Sequence, residues 1–114
     1  MGFRITVQTL AVLRVLLDHP LQKYYGLELS KAAGLPSGSL YPILARLEQQ
    51  GWLTSDWEQV DQRAAGRPRR RYYQLTGEGA VGAEQALAAT VERLSPQPGL
   101  RDRPAPQPGW GVSR

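Results

Sequence analysis

Helix-ending residues divide the first half of the chain into three short helical segments. The first ends at His19, because the residue before a proline is pushed out of the helical region, and Pro20 follows. Gly34 suits the left-handed end of the second segment, and Pro36 prevents that helix from continuing. Gly51 closes the third. The sequence therefore predicts three consecutive helices, over residues 6–18, 24–33 and 37–50.

The apolar residues of these segments predict which faces are buried. The first helix, with Thr6 as its N-cap, has apolar residues on more than one face and is expected to be largely buried. The second is expected to turn an inward face made of Tyr24, Leu27, Leu29 and Ala32. The third has the three- and four-residue spacing of one buried face, at Leu40, Ile43, Leu44 and Leu47.

The start of the third helix has two alternatives. If Ser37 is the N-cap, Pro42 lies one turn inside the helix and removes a hydrogen bond. If Ser39 is the N-cap, Pro42 lies in the first turn, where proline is tolerated. The sequence leaves both open.

Two strands and a fourth helix follow. Residues 52–58 and 70–76 are rich in aromatic and other β-favouring residues, and a polar loop, residues 59–69, joins them as a hairpin. A helix is predicted from Gly77 or Glu78 to Leu94. Three helices and then a hairpin predict a mainly α protein, a winged helix-turn-helix at 1–76. Residues 77–95 then form a separate C-terminal helix, and the proline-rich residues 96–114 a disordered tail.

Positive charge is concentrated rather than spread. The net charge is +4, and five of the fourteen basic residues lie between positions 63 and 71. We call residues 59–71, the loop and the start of the second strand, the wing. Forked arginine hydrogen bonds suit phosphates, and arginines also enter narrow minor grooves. The predicted partner is double-stranded DNA, contacted through Arg67, Arg69, Arg70 and Arg71.

The chain resembles the PadR family of bacterial transcriptional regulators. Three segments carry the resemblance: YYGLELSKAAGL at 24–35, SGSLYPILARLEQQGWL at 37–53 and GRPRRRYYQLTGEG at 66–79. It implies a short-form member with one helix after the wing. The resemblance implies a homodimeric repressor or sensor that binds a near-palindromic operator, with the third helix as its recognition helix.

The resemblance places a DNA-contacting tyrosine at Tyr41. Ser37 and Ser39 are helix caps or phosphate ligands at a helix N-terminus, and those roles are compatible. Arg46, one turn further along, and Lys31, on the second helix, complete the predicted DNA contacts. Homodimerisation is assigned to the last helix through Ala80, Ala83, Leu87, Val91 and Leu94, with packing inside one monomer as the alternative.

Small-molecule effectors release DNA from some members of the family, so an effector is a further predicted partner. Residues 78–94 contain no Trp, Phe or Tyr, which argues against a drug pocket built by aromatic stacking on that helix. A protein-interaction module that keeps the fold without specific DNA binding is the alternative function.

Other chemistry finds little support. Gly77, Gly79 and Gly82 match the spacing of a dinucleotide-binding loop, but no strand follows to complete a βαβ unit. There is one histidine and no cysteine, so neither a zinc site nor thiol chemistry is expected. We predict a protein that is not an enzyme and needs no cofactor or metal. The N-terminal segment is too often interrupted by polar residues for a membrane span, so a bacterial cytoplasmic, nucleoid-associated location is expected.

Overall fold

A computed structural model describes residues 4–94. The predicted tail, residues 96–114, lies outside this part of the chain. The elements, in order, are α1 (Val7–Asp18), β1 (Tyr24–Tyr25), α2 (Gly26–Ala33), α3 (Ser37–Gln49), β2 (Leu53–Trp57), α4 (Gln62–Ala65), β3 (Arg71–Leu75) and α5 (Gly77–Leu94). The predicted fold class, mainly α with a winged helix-turn-helix, is confirmed.

Local signals end the helices where the sequence indicates. The hydroxyl of Thr6 accepts from the backbone N–H of Thr9 and caps α1, and His19 ends that helix. Gly34 and Gly51 both adopt positive φ, of 70° and 80°, which only glycine adopts without strain. The three helices therefore begin and end close to the predicted positions.

The second helix starts two residues later than predicted. Tyr24 and Tyr25 form a short strand, and the carboxylate of Glu28 accepts the backbone N–H of Tyr25 at 2.8 Å, which fixes Gly26 as the first helical residue. The predicted inward face is also partly wrong. Leu29 is completely buried, whereas Leu27 is 64% exposed and Ala32 is exposed.

Neither serine alternative for the start of α3 is right. The N-cap is Pro36, whose carbonyl accepts from the N–H groups of Ser39 and Leu40, each at 3.0 Å. Pro42 therefore lies inside the helix. Pro42 has no N–H to donate within the helix and its side chain is exposed, while Leu40, Ile43, Leu44 and Leu47 are buried as predicted.

The hairpin is part of a three-stranded antiparallel sheet with the order β1-β3-β2. Leu53 pairs with Leu75, Trp57 with Arg71, and Tyr25 with Tyr72. The loop predicted between the strands contains one helical turn, α4. Asp61 caps this turn through the N–H of Arg63, and Gly66 ends it in the left-handed conformation. The wing is therefore more ordered than an open loop.

One core joins the helices to the inner face of the sheet. Alternation along β3 buries Tyr73 and Leu75, and leaves Tyr72 on the outer face. The helices contribute the fully buried Leu13, Leu29, Leu40 and Leu47, and α5 contributes Ala83. This packing fixes α3 against β2, so the third helix and the wing share one support.

Candidate nucleic-acid interface

The third helix turns a mostly polar face to solvent. Opposite its four buried residues lie the exposed Ser37, Tyr41, Pro42, Ala45, Arg46 and Gln49. Tyr41 is 44% exposed, although it is a large aromatic residue. Ser39 is half-buried, and neither Ser37 nor Ser39 is used as the helix cap. This face has the hydrogen-bonding side chains that groove recognition needs.

Tyr41 packs against the second helix as well. Its phenol lies directly beside Gly26, the first residue of α2, where a β-carbon would overlap the phenol oxygen. The ring therefore bridges the two helices of the helix-turn-helix. Lys31, exposed in the last turn of α2, and Arg46 are the other basic residues predicted here.

The wing arginines have different surroundings. Arg67 forms a two-pronged ion pair with Glu58, with Nη2 3.0 Å from Oε2. Arg71 donates to the hydroxyl of Ser55 from Nε at 3.0 Å and from Nη2 at 2.7 Å. Both guanidinium groups are therefore engaged within the fold.

Arg69 and Arg70 are exposed and make weaker contacts. Arg69 donates from Nε to the carbonyl of Val60 at 3.3 Å. The guanidinium of Arg70 lies over the ring of Tyr25, 4.9 Å from its centre. A cation on an aromatic ring keeps its N–H donors available, so of the four wing arginines predicted to contact DNA, Arg69 and Arg70 are the best placed to meet a phosphate.

Arg71 also links the wing to the third helix. Its Nη2 lies 3.6 Å from the carboxylate of Glu48, near the C-terminal end of α3. Ser55 donates to the same carboxylate at 2.7 Å, and the guanidinium lies 5.5 Å from the ring centre of Trp57. This network ties β2 and β3 to the helix that carries Tyr41 and Arg46.

Glu58 is the residue of this region whose role the sequence did not reveal. Only 8% of it is exposed, and it receives hydrogen bonds from Tyr25 of β1 and from Arg67 and Arg70 of the wing. Hydrogen bonds from Arg67, followed by those from the Arg70 backbone and the Tyr25 hydroxyl, lower the pKa of its carboxyl from 4.5 to about 2 against the opposing effect of burial. Its place in the hairpin could have revealed this role. If the pairing of β2 with β3 is continued by one residue, Glu58 lies opposite Arg70.

The predicted dimerisation residues fall into two groups. Ala83 is completely buried and Ala80 is partly buried against the monomer's own core, where α5 packs on α1. Leu87 is half-buried, and Val91 and Leu94 are 65% and 81% exposed. Of the predicted dimerisation residues, those that leave apolar surface exposed therefore lie in the C-terminal half of α5; Val81, in its N-terminal half, is also 54% exposed.

The glycine pattern at the start of α5 has a packing explanation. A β-carbon on Gly79 would overlap the carbonyl of Trp52, and one on Gly82 would overlap its ring. Both glycines let α5 approach the residue that precedes β2. Within residues 4–94, no group of three metal-binding side chains occurs, and no helix is long and apolar enough to cross a membrane.

An exposed helical face beside an arginine-bearing wing defines the winged helix-turn-helix class. The sequence matches the transcriptional regulator PadR-like family over residues 12–85. The chain belongs to that family of transcriptional regulators.

Solved structures agree with this assignment. A PadR family transcriptional regulator from Eggerthella lenta is 27% identical, with a TM-score of 0.59 over 76% of this chain and 78% of that one. Reduced AbfR, solved bound to DNA, is also 27% identical, with a TM-score of 0.62 over 82% of this chain. This chain spans 59% of AbfR.

A more distant structure shares the fold alone. MepR of S. aureus, solved as a DNA complex, is 20% identical, with a TM-score of 0.61 over 78% of this chain and 67% of that one. No curated protein matches the chain significantly in sequence.

Proposed function

We propose that the protein is a homodimeric repressor that binds a near-palindromic operator. The observation that carries the proposal is the linkage of the exposed face of α3 to the wing through Glu48, Ser55 and Arg71. The two surfaces that must meet DNA together are held as one body. A DNA complex has been solved for AbfR, which shares the family fold.

In this proposal the third helix enters the major groove. Tyr41 touches a phosphate or a thymine methyl, and Ser37, Ser39 and Arg46 add polar contacts. Lys31 lies over the sugar–phosphate backbone. Ser37, Tyr41 and Arg46 are exposed and Ser39 is half-buried, while the apolar residues on the opposite side of the helix pack in the core.

The wing contacts the backbone or the minor groove mainly through Arg69 and Arg70. Arg67 and Arg71 contribute charge, but their donors are already used within the fold. Each phosphate that the wing neutralises should add about 0.9 to the slope of log affinity against log salt.

Homodimerisation places a second copy beside the C-terminal half of α5, where Leu87, Val91 and Leu94 offer apolar surface. The two copies then bind half-sites whose centres are about 34–36 Å apart, which is one turn of DNA. Half-sites repeated at this spacing are what a two-fold symmetric dimer requires.

An effector response belongs to the same proposal. A groove of about 490 Å³ lies between Trp52 and α5, lined by Glu78, Val81, Gly82 and Gln85 among others. It offers an indole and a carboxylate to a flat ligand. Binding there should alter the fluorescence of Trp52 in a variant with Trp57 and Trp110 replaced by Phe.

The experiment that tests the main proposal is a fluorescence-anisotropy titration. The protein is titrated onto DNA from upstream of its own gene and onto a scrambled duplex, each at two salt concentrations. Selective and steeply salt-dependent binding is expected. Equal, weak binding to both duplexes would contradict sequence-specific regulation and favour a protein partner for the basic wing.

A further inference from the structure

A buried acidic residue lies at the base of a surface that should attract an anion. Glu58 directly precedes the wing, and its side chain is 9% exposed. Its hydrogen-bond partners come from β1, through Tyr25, and from the wing, through Arg67 and Arg70. We call Glu58, Tyr25, Arg67 and Arg70 the Glu58 cluster.

The carboxylate uses both of its oxygens in the cluster. Oε1 accepts from Nη1 of Arg67 at 2.5 Å and from the backbone N–H of Arg70 at 2.9 Å. Oε2 accepts from Nη2 of Arg67 at 3.0 Å and from the hydroxyl of Tyr25 at 3.0 Å. Four donors on one carboxylate make a directional anchor, which a simple solvated charge would not be.

The anchor reaches both ends of the wing and the start of the helix-turn-helix. Arg67 and Arg70 belong to the arm of the wing that returns to the sheet. Tyr25 precedes α2, and its backbone N–H is held by Glu28. The ring of Tyr25 also supports the guanidinium of Arg70.

By its charge alone, the Glu58 carboxylate is unfavourable on a surface that binds DNA. A carboxylate near the wing repels phosphate, so its removal should strengthen DNA binding. Its burial and its four donors indicate the opposite consequence. Without the carboxylate the arm of the wing loses its side-chain attachment and keeps the backbone hydrogen bond from Glu58 to the carbonyl of Arg70. DNA binding then has to offset the entropy cost of ordering the arm.

We propose that Glu58 is a positioning residue of the DNA-binding surface: through the Glu58 cluster it holds the wing in the orientation that presents Arg69 and Arg70 to the DNA. This inference rests on the proposed function. It assigns Arg67 to the anchor rather than to phosphate contact. The pKa of Glu58, lowered to about 2, agrees with a carboxylate that stays charged in this role.

The decisive comparison is Glu58→Gln against Asp56→Asn. The two positions are neighbours, and each substitution removes one negative charge. Asp56 is exposed and accepts only the N–H of Trp57 among the described contacts. Each variant is titrated by anisotropy onto the upstream DNA over a series of salt concentrations, at a temperature where circular dichroism finds it folded.

The two substitutions should change DNA affinity in opposite directions, or only Glu58→Gln should change it. Glu58→Gln should weaken binding about tenfold and lower the salt slope, because charge-assisted anchoring bonds are lost. Asp56→Asn should leave binding unchanged or strengthen it by about twofold. If Glu58→Gln binds as tightly as Asp56→Asn, or more tightly, the proposal is overturned.

A milder pair of variants covers the case in which Glu58→Gln does not fold. Tyr25→Phe removes one donor to the carboxylate, whereas Tyr72→Phe removes a hydroxyl from the same outer face of the sheet. Weaker DNA binding for Tyr25→Phe alone supports the anchor. Equal binding of the two would contradict it.

A second measurement distinguishes an error in the role of Glu58 from an error in the proposed DNA-binding function. If the wild-type protein binds no DNA, hydrogen exchange of residues 59–70 still tests the anchor. Faster exchange in Glu58→Gln than in Asp56→Asn would support wing positioning without DNA binding. Unchanged exchange would overturn it.

Discussion

The phenol of Tyr41 occupies the space that a side chain at Gly26 would need. The two residues belong to α3 and α2, so the contact sets the tyrosine against the start of the preceding helix. Gly26 is itself buried. The position of Tyr41 on the candidate DNA surface therefore depends on the absence of a β-carbon fifteen residues earlier in the chain.

Gly26→Ala should move Tyr41 without unfolding the protein. The clash is with the far end of a flexible side chain, so rotation of the ring relieves it at a cost below about 1 kcal/mol. DNA binding should fall as far as in Tyr41→Ala. Anisotropy and urea unfolding measure the two effects. The double variant should bind no more weakly than Tyr41→Ala, and an additive loss would show that the glycine acts elsewhere.

Gly79→Ala should behave differently, because its β-carbon would meet backbone. The carbonyl of Trp52 cannot rotate away, so α5 must shift from the sheet. We expect a loss of about 2–3 kcal/mol in the free energy of unfolding. Gly77→Ala is the matched control, since its β-carbon would enter open space. A similar, small effect of both substitutions in urea unfolding would argue against close packing of α5 on Trp52.

Acid should weaken the Glu58 cluster in a defined interval. The pKa of Glu58 is lowered from 4.5 to about 2, so the unfolded chain takes up the proton first as the pH falls. The stabilisation is complete above about pH 4.5 and is lost as the pH approaches 2. Urea unfolding of the wild type and Glu58→Gln should therefore differ most above this interval and converge within it. A constant difference would mean that another group is responsible.

Much of the fold could be predicted because local chemistry decides it. Gly34, Gly51 and Pro20 impose backbone conformations that depend little on tertiary contacts. The spacing of Leu40, Ile43, Leu44 and Leu47 also reports burial directly. The failures occur where distant residues compete with local preference. Tyr24 and Tyr25 leave the helix because β3 is available to pair with them.

The candidate site was harder to predict because side-chain partners are remote in sequence. The arginine run looks uniform in the sequence, yet Glu58 and Ser55 engage Arg67 and Arg71 and leave Arg69 and Arg70 more available. Pairing of β2 with β3 brings these partners together. Only the register of the hairpin, which the long wing obscures, could have revealed them.

Substitution of the exposed wing arginines should change the salt dependence of DNA binding, whereas substitution of an arginine elsewhere on the surface should not. Arg69→Ala and Arg70→Ala should each lower the salt slope by about 0.9 per subunit, and so by about 1.8 for the proposed dimer, and weaken binding to all duplexes alike. Arg14→Ala removes the same charge from the exposed side of α1 and should leave the slope unchanged. Anisotropy titrations over a salt series provide the slopes. Equal slopes for Arg70→Ala and Arg14→Ala would remove Arg70 from the interface.

Charge on the C-terminal half of α5 should separate the proposed dimer. Leu94 is 81% exposed, and Leu94→Glu would place a carboxylate in the apolar surface that a second copy is proposed to cover. Leu21→Glu is the matched control, because Leu21 is 85% exposed and lies between α1 and β1, outside α5. Sedimentation equilibrium should find Leu94→Glu monomeric at concentrations where Leu21→Glu is dimeric. If both variants remain dimeric, the second copy binds another surface of the monomer.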